Sequence, residues 1–152
     1  MIPRTPQGVI DTSTLILLEQ IADASTLPVE PLITTVTLAE LSVGPLVARD
    51  DRERAARQVH VQLAESDFDP LPFDVAAARA FGRVSASLHR HGRKTAARAY
   101  DAMIAATAMA NDLSVHTCNP DDFQGIDGLT VVAVPHPGPA DRLSRPHEER
   151  RR

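Results

Sequence analysis

The chain has 152 residues, 43% hydrophobic and 24% charged, with a single cysteine, Cys118, and a formal net charge of −4. A chain of this length buries a core without disulfides or a structural metal, and one cysteine excludes an intramolecular disulfide, so Cys118 reads as a small buried residue in a reducing cytoplasm. Aromatic residues make up 3% with no tryptophan, which excludes base stacking as the main source of affinity for single-stranded nucleic acid. The acidic balance excludes a protein that coats nucleic acid nonspecifically.

The first residues offer no apolar signal segment, and no apolar run reaches the roughly 18 residues needed to span a bilayer, so the expectation is a soluble cytoplasmic protein with no membrane partner. Gly8-Val-Ile-Asp11 reads as a buried strand ending at Asp11. Thr12 and Ser13 then offer N-caps to a helix carrying Leu15, Ile16, Leu18 and Ile21. Leu27 to Pro31 reads as a turn and Leu32-Ile-Thr-Thr35 as a second strand, followed by a helix with Leu38, Glu40 and Leu41 that Gly44-Pro45 ends or kinks. Residues 50–68 form an amphipathic helix, and the proline-rich stretch 68–73 is a short edge strand or connector. Asp74 caps an Ala-rich helix closed by Gly92, and residues 98 to about 112, rich in Ala, Met and Ile, form another. Ser114 to Thr117 and Leu129 to Val134 are the last strands, with Asn119 to Phe123 a loop or helical turn between them. The domain is expected over residues 1–136, with 137–152, dominated by Pro, Gly and charge, a poorly ordered tail.

Strands alternating with helices imply a parallel sheet flanked by helices on both faces, with ligands beyond the carboxyl ends of the strands. On that topology Asp11, Glu40, Asp101 and one of Asp121 and Asp122 come from four segments to one edge of the sheet. A lone acid such as Asp101 in a first helical turn would merely complement the helix dipole, a contribution of roughly 0.3–1 kcal/mol. Several acids gathered without Lys or Arg partners need cations or raised pKa values. Oxygen ligands suit Mg²⁺, or Mn²⁺ in its place, and no HExxH or CxxC spacing supports zinc. The chemistry implied is metal-dependent hydrolysis of a phosphodiester. Neither GxxxxGK[ST] nor GxGxxG is present, and no nucleophile elbow surrounds a Ser or Cys.

Between Val75 and Tyr100 the chain has no acidic residue, while Arg79, Arg83, Arg90, Arg93, Lys94 and Arg98 fall there. Of these, Arg90, Arg93, Lys94 and Arg98 are the candidates for an RNA-phosphate surface.

Four blocks, Val9-Ile-Asp-Thr-Ser13, Thr37-Leu-Ala-Glu-Leu-Ser-Val-Gly44, Tyr100-Asp-Ala-Met-Ile-Ala-Ala-Thr-Ala108 and Thr117-Cys-Asn-Pro-Asp-Asp-Phe123, resemble in order the motifs of PIN-domain ribonucleases. The likeness is strongest to the VapC toxins of bacterial type II toxin-antitoxin modules and runs from about Gly8 to Val134. It implies a three-layer α/β/α fold with a mostly parallel sheet of four to five short strands, Mg²⁺-dependent endoribonuclease activity, a homodimer, and inhibition by a VapB-type antitoxin. Carried over by position, the catalytic acids are Asp11, Glu40, Asp101 and Asp122. Asp11 and Asp101 are the principal metal ligands, with Glu40 and Asp122 completing the set. Thr12, Thr117 and Asn119 match supporting positions, whereas Asp121 has no counterpart. Arg98-Ala-Tyr100 departs from the smaller or acidic residues that many relatives carry before the third acid. The alternative is a PIN-like module that binds RNA or protein without cutting, and the presence of all four acids speaks against it.

Overall fold

The computed structural model describes residues 3–137. Its centre is a four-stranded sheet built of β1 (Gln7–Ile10), β2 (Glu30–Leu32), β3 (Val115–Thr117) and β4 (Val131–Ala133), in the order β2-β1-β3-β4 with every pairing parallel. Val9 pairs with both Leu32 and Val115, so β1 is central and is buried from Gly8 to Ile10, as an apolar run flanked by helices requires. Five helices surround it: α1 (Thr12–Leu17), α2 (Thr35–Leu46), α3 (Asp51–Asp67), α4 (Val75–Arg90) and α5 (Ala99–Ala110).

Side chains alternate across a strand, and β1 divides the core accordingly. Val9 and Val115 join Ala80, Val84 and Leu88 of α4 and the alanines of α5 on one face. Ile10 and Cys118 join Leu41 of α2 and Val61 and Ala64 of α3, with Leu15 and Leu17 of α1, on the other. The result is the α/β/α arrangement, and Cys118 is a buried free thiol. Small residues at Ala102, Ala105, Ala106 and Ala108 let α5 lie close beneath the sheet.

Several boundaries differ from the sequence reading, the last strand, for one, being Val131–Ala133 rather than 129–134. The second strand is Glu30–Leu32 rather than 32–35. Pro31 is tolerated because β2 is an edge strand, and Thr34 instead caps α2 while bridging to Leu71 in the 68–73 connector. The first helix stops at Leu17 and tightens into a 3-10 turn over Leu18–Gln20, and its N-cap position is Asp11 rather than Thr12 or Ser13. The long helix starts at Ala99, after a 3-10 turn Thr95–Arg98 that carries the chain down from α4. The tail expected at 137–152 lies, beyond Pro137, outside the described residues.

One buried polar group braces the sheet. His116 of β3 is 1% exposed. Its Nδ1 lies 2.8 Å from the Thr26 carbonyl and its Nε2 3.0 Å from Ser114 Oγ. A carbonyl only accepts, so Nδ1 carries the proton and Nε2 accepts from Ser114. Burial lowers the His116 pKa, in keeping with a neutral ring.

Candidate active site

Each of the four acids follows the same topological logic. Asp11 leaves β1 at its carboxyl end, Glu40 is one turn into α2, Asp101 lies in the first turn of α5, and Asp122 lies in the 3-10 turn Pro120–Phe123 after β3. All four therefore stand beyond the carboxyl ends of the strands.

Asp11 is 2% exposed and held by hydroxyls. Oδ2 accepts from Thr117 Oγ1 at 2.9 Å and from Ser13 Oγ at 3.2 Å, and Oδ1 accepts from Thr14. These hydroxyls are themselves anchored. Thr14 Oγ1 accepts the Cys118 amide at 3.0 Å, Thr117 Oγ1 accepts the Asn119 amide at 2.9 Å, and Ser13 Oγ accepts Asn119 Nδ2 at 2.9 Å. Because each hydroxyl has one proton and gives it to Asp11, the direction of every bond in this network is fixed. Burial still outweighs the hydroxyls and raises the Asp11 pKa.

Glu40 is tied to the same strand-helix junction. Thr12 Oγ1 donates to Glu40 Oε1 at 2.7 Å, so the 3.0 Å contact between Thr12 and Thr37 must be a donation by Thr37. Burial raises the Glu40 pKa, and the charge of Asp11 adds to that. Asp101 is pushed up to about 6, first by burial, then by repulsion from Asp122, Asp11 and Glu40, against a smaller opposing pull from Arg98. Asp101 thus lies within electrostatic reach of the other three acids. Arg98 reaches the Asp122 carboxylate and the Asp121 carbonyl, each at 3.4 Å. An open cleft of about 390 Å³ is lined by two of the four acids, Glu40 and Asp101, with Ala96, Ala97, Arg98, Ala99 and Tyr100.

Among the described residues, no three acidic, His or Cys side chains stand close enough to enclose a metal ion. The donor set nevertheless fits a hard divalent cation. It is all oxygen, burial raises the pKa values of three of the carboxylates, and Mg²⁺ characteristically binds through one or two carboxylates while keeping several waters.

The basic segment is partly engaged with the protein. Arg90 and His91 both meet Asp127, at 3.1 and 3.0 Å. Arg93 donates to the Asp121 carbonyl at 3.1 Å and to Gln124 Oε1 at 2.8 Å, clasping the turn that carries Asp122. Lys94 is exposed, ahead of the 3-10 segment Thr95–Arg98. Asp121 itself is exposed, as its lack of a counterpart suggests.

The sequence reading passed over Ser13, Thr14 and Thr37. The signal for the first two is the unbroken run Asp11-Thr-Ser-Thr14, in which three consecutive hydroxyls serve two carboxylates. Thr37 had none beyond its place one turn before Glu40.

The PIN-domain family model matches residues 9–129, a span that includes all four acids. The chain belongs to the PIN-domain family. Among curated PIN-domain relatives, the ribonuclease VapC5 of Mycobacterium tuberculosis is 38% identical over 129 residues, covering 84% of this chain and 93% of the relative. A ribonuclease VapC from Rickettsia bellii is 28% identical, covering 84% of this chain and 96% of the relative. Among solved structures, a toxin-antitoxin complex of the VapBC family, VapBC-5 from Mycobacterium tuberculosis, superposes with a TM-score of 0.73 at 36% identity, covering 85% of this chain and 99% of the other. The PIN domain here is thus of the VapC type, and among its described residues no helix is long and apolar enough to cross a membrane.

Proposed function

We propose that this PIN domain is a metal-dependent endoribonuclease, the toxic component of a type II toxin-antitoxin module acting in the cytoplasm. The observation that carries the reading is the group of four carboxylates beyond the sheet, three with raised pKa values, in the order of the PIN motifs. Asp11 and Asp101 would hold Mg²⁺, or Mn²⁺ in its place, and Glu40 and Asp122 would hold its waters. Bound there, the cation supplies Lewis acidity and lowers the pKa of water. The protein's own part is orientation. Three hydroxyls keep Asp11 from turning, Thr12 fixes one oxygen of Glu40, and Asn119 locks Ser13 in its donating orientation. Carboxylates poised nearer neutrality than a free Asp or Glu can accept a proton from an attacking water. Arg98, with Lys94, Arg90 and Arg93 behind it, provides positive charge for the RNA backbone.

The partner is a VapB-type antitoxin, with the toxin itself a homodimer. The cleft suits such a peptide. Its Ala-rich wall accepts apolar anchors and its acids attract a basic side chain.

The test is cleavage of a mixed cellular RNA pool by wild type, Asp11→Ala and Asp101→Asn, with Mg²⁺ or with EDTA, mapping new 5′ ends. Metal-dependent cuts absent from both variants support the reading. A folded, antitoxin-free wild type that neither cuts nor binds divalent metal replaces it with a non-catalytic module.

A further inference from the structure

The aromatic side chains of this protein are few, and most are committed to packing. Phe73 and Phe81 meet edge to face with centroids 6.2 Å apart, Phe123 is buried, and Phe68 packs on the α1/α3 side of the core. Tyr100 is not committed. It is the only tyrosine, it is 52% exposed, and among the described residues its hydroxyl has no hydrogen-bond partner and its ring no aromatic neighbour. It nevertheless lies in the wall of the cleft with Glu40, Arg98 and Asp101, one residue before the third acid. The fold thus leaves a large flat ring in water at the mouth of an acidic site whose neighbouring cation is Arg98.

Resting on the nuclease reading, we propose that Tyr100 is the platform on which one unpaired RNA base stacks next to the scissile phosphate. Every base offers a π-face, so a ring here binds bases in general, while the larger face of a purine overlaps it better than a pyrimidine. Arg98, on the preceding turn and already directed at Asp122, is placed to meet the adjoining phosphate. One platform engages a single nucleotide, in keeping with the low aromatic content, and so sets sequence preference at the cut.

The protein contains no tryptophan, so its ultraviolet emission comes from Tyr100 alone. The experiment titrates Asp101→Asn protein in Mg²⁺ with short oligoadenylate, oligouridylate and an abasic ribose-phosphate oligomer of equal length. N-acetyltyrosinamide is titrated in parallel to correct for RNA absorbance. The expected result is strong quenching by oligoadenylate, weaker by oligouridylate and none by the abasic oligomer, although all three bind. In otherwise wild-type protein, Tyr100→Ala raises KM by about 5- to 150-fold with kcat retained and flattens base preference at the cut, and Tyr100→Phe restores both. Unchanged emission at saturating RNA, or equal quenching by the abasic oligomer, overturns the platform while leaving the nuclease intact. Base-dependent quenching in a protein whose wild type cuts no RNA overturns the nuclease and leaves the platform standing.

Discussion

Thr12 Oγ1 donates to Glu40 Oε1 at 2.7 Å, joining the first residue of α1 to a carboxylate on α2. Thr37 completes the chain by donating to Thr12, so an otherwise exposed-to-repulsion carboxylate is fixed by two hydroxyls in series. Thr12→Val removes the donor and leaves the Thr37 hydroxyl without its acceptor. The expected loss is roughly 1–2 kcal/mol of stability and about 10- to 100-fold in metal affinity or cleavage. Thr12→Ser retains both. Urea denaturation and metal titration of the two variants check this, and an active Thr12→Val protein with wild-type metal affinity refutes it.

Asp101 gives the site a pH signature. Its pKa in the folded protein, about 6, lies above the ordinary 3.8, so the folded state holds that proton more tightly than the unfolded chain. The associated stability is fully present below about pH 3.8 and is lost as pH rises through about 6. Metal-free protein should therefore melt at a lower temperature near pH 7.5 than near pH 5.5 for this group, and Mg²⁺ should reverse the loss by binding the ionised form. Asp101→Asn should flatten the metal-free profile and raise Tm at neutral pH by about 2–4 °C for each kcal/mol relieved, while abolishing cleavage. Thermal melts across pH in EDTA and in Mg²⁺ separate these effects. In wild type, Mg²⁺ affinity should weaken about tenfold per pH unit once pH falls below about 6, because binding then displaces one proton.

Why the acids could be found by reading residues, and their supports only in part, follows from how each is encoded. Asp11, Asp101 and Asp122 sit where strand and helix signals change, so a βα topology alone sends them to one edge. Glu40 stood out as a carboxylate between Leu38 and Leu41. Hydroxyls carry no such signal. Thr14 is fully buried because its oxygen serves Asp11 and the Cys118 amide at once, and that bond spans more than a hundred residues of sequence. The second strand was misplaced for a related reason, since Pro31 reads as a breaker until the strand is known to lie at an edge.

Charge between α4 and α5 divides into two roles. Arg93 clasps both ends of the turn that carries Asp122, contacting Asp121 and Gln124. Arg93→Ala should therefore act on the turn, lowering kcat by about 10-fold with little change in the salt dependence of RNA binding. Lys94→Ala should do the reverse, leaving kcat in place and reducing the slope of log affinity against log salt by about 0.7, the contribution of one phosphate on a single strand. Filter binding over a salt series together with single-turnover rates tells the two apart, and a shared phenotype would remove the distinction.

Gly8 is set by packing rather than by its backbone angles. A Cβ added there would lie 2.6 Å from both Cδ2 and Nε2 of His116. The imidazole cannot retreat without giving up Ser114 or the Thr26 carbonyl, the partners that let it be buried neutral. Gly8→Ala should thus destabilise by about 1–3 kcal/mol, read as a lower denaturation midpoint with an unchanged slope. Gly8 is three residues before Asp11, which directly follows the same strand, so the strain should also reach the site and lower metal affinity. The double variant Gly8→Ala/His116→Ala opens space for the new methyl, and its destabilisation should be smaller than the sum of the two single changes, because neighbouring groups that clash do not contribute independently. A strictly additive double variant would show that the ring and the strand do not press on one another.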